Sequence, residues 1–136
     1  MKKYLEIPIN EFSSPIIASA SLNMSSKEMM MLMDKYGFRH LPVIEDGKPV
    51  GIISARDLRL LKMINSDLQL KARDLMIENP YCVPMGTCME AAAFEMSQRK
   101  IGSALVVDEE GNLDSIFTSI DGLNALVEIL RGDFDE

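Results

Sequence analysis

Two short stretches carry a hydroxyl and a carboxylate at the same spacing. Ser54 is followed three residues later by Asp57, and Thr118 by Asp121. Each pair closes a run of like pattern: Gly47-Lys-Pro-Val-Gly-Ile52-Ile53-Ser54-Ala-Arg-Asp57 and Gly111-Asn-Leu-Asp-Ser-Ile116-Phe117-Thr118-Ser-Ile-Asp121. A carboxylate can accept both hydroxyls of a ribose diol. A hydroxyl where a helix starts, beside free backbone N–H groups and the positive end of the helix, suits a phosphate. The same spacing is also a helix-capping signature, worth ~1 kcal/mol per cap. Spacing alone favours capping, and the two roles are compatible in the same atoms.

The runs lie 64 positions apart, from Asp57 to Asp121, in a chain of 136 residues. A repeat of half the chain suggests one supersecondary unit made twice. Each half alone would bury too little surface to be stable, so the halves are expected to pack together. The order read in each half is β-α-β-β-α, an α/β (α+β) fold class of two pseudo-symmetric repeats. In the first half, Leu5–Ile9 is a short lead-in strand and Ile16-Ile17-Ala18 a strand. Ser25 and Glu28 make a capping box for a helix with Met29, Leu32, Met33 and Tyr36 on one face, ended by Gly37. Leu41–Ile44 and Val50–Ile53 are the arms of a hairpin turned at Glu45–Lys48. A second helix runs from Ser54 to about Asn65 with Leu60, Met63 and Ile64 on one side. In the second half, Tyr81–Val83 is a strand, and Thr87 with Glu90 is a capping box before Ala92, Ala93 and Met96. Ala104–Val107 and Leu113–Phe117 flank the turn Asp108–Gly111. Leu123, Leu126, Val127 and Leu130 form a last helical stripe. The capping boxes are offset by 62 positions and the hairpin glycines by 64, a difference assigned to turns.

Net charge is −7, with 21 acidic and 14 basic residues. That argues against nonspecific binding to DNA or RNA, which needs a basic footprint. No apolar run is long enough to span a bilayer, and the start has no apolar signal core. Cys82 and Cys88 match no common zinc spacing and are read as buried free thiols of a reducing, cytoplasmic compartment. Eleven methionines and no Trp point to a soft, adaptable interior.

Further segments carry a resemblance. Asp74-Leu-Met-Ile-Glu-Asn-Pro80, Gly37-Phe-Arg-His-Leu41-Pro42-Val43-Ile44 and Ile101-Gly102-Ser-Ala-Leu105-Val106-Val107-Asp108 join the two hairpin runs. In order and twice over, these resemble the cystathionine-β-synthase (CBS) domains, which occur as tandem pairs. The likeness covers roughly residues 8–131. It divides the chain into a first repeat at 8–66, a linker at 67–73, a second repeat at 74–131 and an acidic tail at 132–136. It implies a CBS-domain pair with clefts between the repeats, sensing AMP, ADP, ATP, S-adenosylmethionine or NAD by a change of shape, and often paired as a homodimer.

The resemblance carries a ribose role onto Asp57 and Asp121, and a ribose or phosphate role onto Ser54 and Thr118. Arg39, His40, Arg56 and Lys100 are the cations a phosphate would use, although a single exposed cation is more often only solvated. Ile16, Ile17, Ile52, Ile77, Tyr81 and Ile116 could line an adenine slot, their alternative being ordinary core. The halves differ. Arg56 is matched by Ile120, and Val50-Gly51 by Asp114-Ser115. One working and one degenerate site is therefore expected, with Asp57 and Arg56 favoured for phosphate and Asp121 equally able to hold a ribose.

Three functions are weighed. One is a regulatory module that binds an adenosine-containing ligand and signals to an unidentified protein. The second is an assembly module that dimerises without ligand, its Ser/Thr–Asp pairs being caps. The third is an enzyme. It is disfavoured because no catalytic triad, metal-ligand cluster or phosphate-cradling Gly-rich loop is present, so no catalytic residue, required cofactor or metal is assigned. Inosine-monophosphate dehydrogenase is known to carry a module of this kind beside a catalytic domain.

Overall fold

The computed structural model describes residues 6–64 and 69–132. In chain order its elements are β1 (Ser14–Pro15), α1 (Ser26–Tyr36), β2 (His40–Glu45), β3 (Lys48–Ser54), α2 (Ala55–Ile64), α3 (Ala72–Leu75), β4 (Ile77–Glu78), β5 (Cys82–Pro84), α4 (Met89–Arg99), β6 (Ser103–Val107), β7 (Leu113–Thr118) and α5 (Ser119–Leu130). They divide into two compact units. The first is residues 17–80; the second joins the segment up to Ile16 with residues from Tyr81 onward. The first holds a three-stranded sheet in the order β2-β3-β4, the second a four-stranded sheet in the order β1-β7-β6-β5.

Each unit is built around an antiparallel hairpin whose alternate residues point inward. In the first, Leu41 and Val43 of β2 and Ile53 of β3 meet Met29 and Met33 of α1 and Leu58 of α2. In the second, Ala104 and Val106 of β6 and Phe117 of β7 meet Met89, Ala92 and Met96 of α4 and Ala125 of α5. At about 0.8 kcal/mol per buried CH2, these side chains supply most of the driving force in each unit.

The repeat is most regular in its first part. Ser26 opens α1 and Met89 opens α4, 63 positions later. A ladder irregularity lies between Val43 and Ile44, and again between Val106 and Val107, also 63 positions on. After the hairpins the offset is 64, from Ser54 to Thr118. The extra residue sits in the turn. In the first unit only Asp46 and Gly47 lie between the strands, both left-handed at φ 52° and 80°. That is the pairing a two-residue hairpin requires, and Gly adopts it without penalty. The second unit uses a longer turn in which Asp108 Oδ1 accepts the Glu110 and Asn112 N–H groups, both at 2.9 Å.

The lead-in segments pack in an exchanged way. β1 adds to β7, with Ser14 opposite Ile116, while β4 adds to β3, with Ile77 opposite Ile52. Pro8 bridges Cys88, and Lys71 bridges Ser25. Residues 8–15 and 71–78 are thus equivalent at an offset of 63. Each completes the sheet built by the other repeat, covering the free edge of a closing strand. The repeat boundaries read from the sequence group each lead-in segment with the residues that follow it. The compact units group it differently.

Other local expectations change. No strand forms at Ile16-Ile17-Ala18. β1 lies just before it, and the next pairing is at Ala20, which bridges Val43 in parallel. Ile16 and Ile17 fall where the chain passes from one unit to the other. Leu5 lies outside the described residues. Ile9–Glu11 is a 3-10 turn rather than strand, and β5 begins at Cys82, not Tyr81. Asn65 and residues 66–68 also lie outside the described residues, and the end of the expected linker is α3. Ser25 Oγ caps α1 by accepting the Glu28 N–H at 3.1 Å. The corresponding Thr87–Glu90 capping box does not form. α4 starts at Met89, so Cys88 is the N-cap and its side chain makes no cap, while the Thr87 hydroxyl donates to Pro84 O at 2.7 Å. The apolar stripes on α2 and α5 exist but are exposed, as are Met63 and Ile64 (82% and 81%) and Leu130 (76%). Tyr36 is exposed as well.

Candidate functional site

In the first unit the β2–β3 ladder sets His40 opposite Ser54. The Ala55 N–H donates to Arg39 O at 2.8 Å, closing that end of the hairpin where α2 begins. Arg56 and Asp57 occupy the first turn of α2, both exposed. Ser54 Oγ accepts the Asp57 N–H at 3.2 Å, so the capping role is real. The Asp57 carboxylate accepts no hydrogen bond and makes no ion pair among the described residues, including none with Arg56. Ile52 and Ile77 face each other across β3 and β4 beside it. Burial first, and then the Arg39 charge, hold the His40 imidazole below its ordinary value of 6.5, so it is neutral at pH 7. The end of this hairpin thus presents a carboxylate with both oxygens open, Arg56 next to it in the chain, the Arg39 backbone bonded to Ala55 and the N-terminus of a ten-residue helix.

The equivalent place in the second unit is differently occupied. Ser103 lies opposite Thr118, and Lys100 ends α4 just before β6. Thr118 and Asp121 form a complete capping box. The Thr118 N–H donates to Asp121 Oδ2 at 2.8 Å, the Thr118 hydroxyl approaches the same oxygen at 3.3 Å, and the Asp121 N–H reaches Thr118 Oγ1 at 3.5 Å. The other carboxylate oxygen, Oδ1, accepts the Ser14 hydroxyl at 2.9 Å. Asp121 is buried, at 7% exposure. One step along the strands, the Ser115 hydroxyl donates to Ser13 Oγ at 2.9 Å. A cleft of about 680 Å³ opens beside this group, lined by Glu11, Ser14, Asp121, Asn124, Glu128 and Arg131 among others.

Among the sequence candidates, the structure gathers Arg39, His40, Ser54, Arg56, Asp57, Ile52 and Ile77 in the first unit. Thr118, Asp121 and Ile116 gather in the second, with Ile16 following β1. Lys100 belongs to the second unit, at the C-terminal end of α4. Ile17 is 63% exposed in the first unit. Tyr81 packs on the core of the second unit, with the Arg99 guanidinium 4.7 Å from its ring centre. Ile116 is buried, as ordinary core would be. Sequence reasoning missed Ser14, because its contact with Asp121 spans 107 positions and follows from the exchanged lead-in segment. Both cysteines are free thiols, but neither is buried: Cys82 is exposed and Cys88 half-buried. Burial around its sulfur nevertheless pushes the thiol above 9.0. Among the described residues no cluster of three or more His, Cys, Asp or Glu side chains could hold a metal ion, and no helix is long and apolar enough to cross a membrane.

Two repeats, each closed by a hydroxyl–carboxylate pair at a helix start, define a tandem architecture. The chain belongs to the CBS-domain family, whose profile matches residues 9–63 and 72–128. Its relatives include an uncharacterised protein of Methanocaldococcus jannaschii, 24% identical over 127 residues covering 91% of this chain and 46% of that one. Inosine-5'-monophosphate dehydrogenase of Halalkalibacterium halodurans is 36% identical over 89 residues, covering 64% of this chain and 18% of the enzyme. The chain spans less than half the length of these curated relatives. Among solved structures it is similar to CBSX2 in complex with AMP, with TM-score 0.77, 27% identity, and coverage of 90% of this chain and 97% of that one. It is also similar to the CBS domain pair of protein MJ0100 in complex with 5'-methylthioadenosine and S-adenosyl-L-methionine, with TM-score 0.78, 25% identity, and coverage of 88% and 99%.

Proposed function

We propose that this chain is a regulatory module that binds an adenosine-containing ligand and passes on its presence by a change of shape. The observation that carries this reading is the open Asp57 carboxylate, beside the Ser54 hydroxyl and the start of α2, in a fold whose relatives are seen with AMP and with S-adenosyl-L-methionine. Asp57 would accept the ribose diol. Ser54, the first N–H groups of α2, Arg39 and Arg56 would face a phosphate, and Ile52 with Ile77 would give the base an apolar wall. The net charge of −7 disfavours a polyanion at large distance, so the local cations would have to do this work.

Thermal-shift titration with AMP, ATP and S-adenosylmethionine tests the reading. A ligand that binds only the folded state raises the melting temperature. The expected result is a shift with at least one of them, lost in Asp57→Ala, where binding weakens about 10-fold or more. Absence of any shift would leave the module without a ligand of this class.

A second reading, self-assembly, is favoured by the exposed apolar stripes on α2 and α5. A homodimer closed through those faces is compatible with ligand sensing, and becomes the whole function only if no nucleotide binds.

A further inference from the structure

We propose that the second unit's copy of the motif is closed by the chain's own Ser14, leaving Asp57 as the one carboxylate that takes a sugar diol. The inference rests on the function proposed above and adds to it a stoichiometry and a structural role for Asp121. A carboxylate that holds a diol must offer acceptor positions to two hydroxyls. Asp121 has about one of its four acceptor positions left, too few for two hydroxyls: Oδ2 takes the Thr118 backbone and hydroxyl, and Oδ1 takes Ser14. Its burial means that a ligand would have to expel Ser14 before reaching it, leaving β1 without this tie to α5. The cleft beside it adds Glu11 and Glu128 against one guanidinium, Arg131, which opposes a phosphate.

The first unit differs by one residue at the decisive place. Ser14 faces Ile116 on the closing strand; the residue in that position on β4, facing Ile52, is Ile77. Isoleucine has no hydroxyl to give, and Asp57 stays open. Among the described residues Ser54 Oγ is held only by the Asp57 N–H, whereas the Thr118 hydroxyl is already directed at its own aspartate. The hydroxyl–carboxylate pairs themselves are alike, so the difference in how the two carboxylates are occupied comes from the exchanged lead-in segments.

Isothermal titration of the full chain with AMP, and separately with ATP, decides this. One nucleotide per chain is expected. Asp57→Asn should lose it, and Ser14→Ala and Asp121→Asn should keep it while melting at lower temperature than the parent. Ile77→Ser, which puts a hydroxyl where Ser14 sits in the other unit, should weaken binding about 10-fold without lowering the melting temperature. Two nucleotides per chain, or a folded Asp121→Asn or Ser14→Ala that no longer binds, would overturn the inference while leaving the ligand class intact. No binding by any variant would instead remove the proposed function and the sugar role of Asp57 with it. The melting temperatures would still decide the Ser14 lock, which fails if Ser14→Ala and Asp121→Asn melt with the parent.

Discussion

His40 is held neutral in the folded chain by burial and by Arg39, and this gives it a measurable signature. Its folded pKa lies below the unfolded value of 6.5. Between those two values the unfolded chain binds the extra proton, so stability is complete above pH 6.5 and is lost as pH falls below it. Urea unfolding of the parent and His40→Asn at roughly pH 7.5 and 5.5 should show the parent losing more stability on acidification than the variant. If a ligand phosphate also faces His40, it would draw a proton onto the ring, and the affinity gained at lower pH would exceed that of His40→Asn. Much of this residue chemistry was legible in the sequence. The Ser54–Asp57 and Thr118–Asp121 pairs were visible as spacing, and both capping hydrogen bonds are present. That the two copies are unequal was legible from Arg56 against Ile120, but the Ser14 contact was not, because it comes from a strand more than a hundred positions away.

At the scale of elements, the two repeats serve as each other's control. α1 has Ser25 as N-cap and Gly37 in the left-handed C-terminal position, at φ 74°. α4 has Cys88 and Lys100 at the equivalent places, the first making no side-chain cap and the second held at φ 56°. Supplying what α1 has should help. Cys88→Ser is expected to stabilise by about 0.5–1 kcal/mol through a cap to the α4 N-terminus, and Lys100→Gly by about 1 kcal/mol by relieving a left-handed residue with a Cβ. Chemical denaturation reads both, and a loss of stability in either would contradict the corresponding argument. Helices and hairpins were readable because apolar period and turn residues are local signals. The Thr87 cap was misread because Thr, like Ser, marks a cap only when the helix begins at the next residue, and α4 begins one later. The short strands β1 and β4 escaped notice since two residues carry no alternation, and their pairing depends wholly on where the chain crosses between units.

For the whole molecule, the exposed stripes on α2 and α5 leave Met63, Ile64, Leu126 and Leu130 in water in a single chain. Self-association would remove that surface, at about 25 cal/mol per Å² of apolar area. Sedimentation should find a dimer, and Leu126→Glu with Leu130→Glu should return it to monomer while the far-ultraviolet spectrum stays unchanged; a monomeric parent would refute this. The exchanged lead-in segments bear on the order of events during synthesis. Residues 17–80 contain all that the first unit needs, and they leave the ribosome together. The second unit must hold its opening residues in reserve, because Ser14 meets Ile116 only after 102 further residues have been made. At about 5–20 residues per second that is a wait of roughly 5–20 s. For that interval Ile7 and Ile9, destined for a dry interior, stay exposed to whatever chaperones or neighbouring nascent chains reach them first.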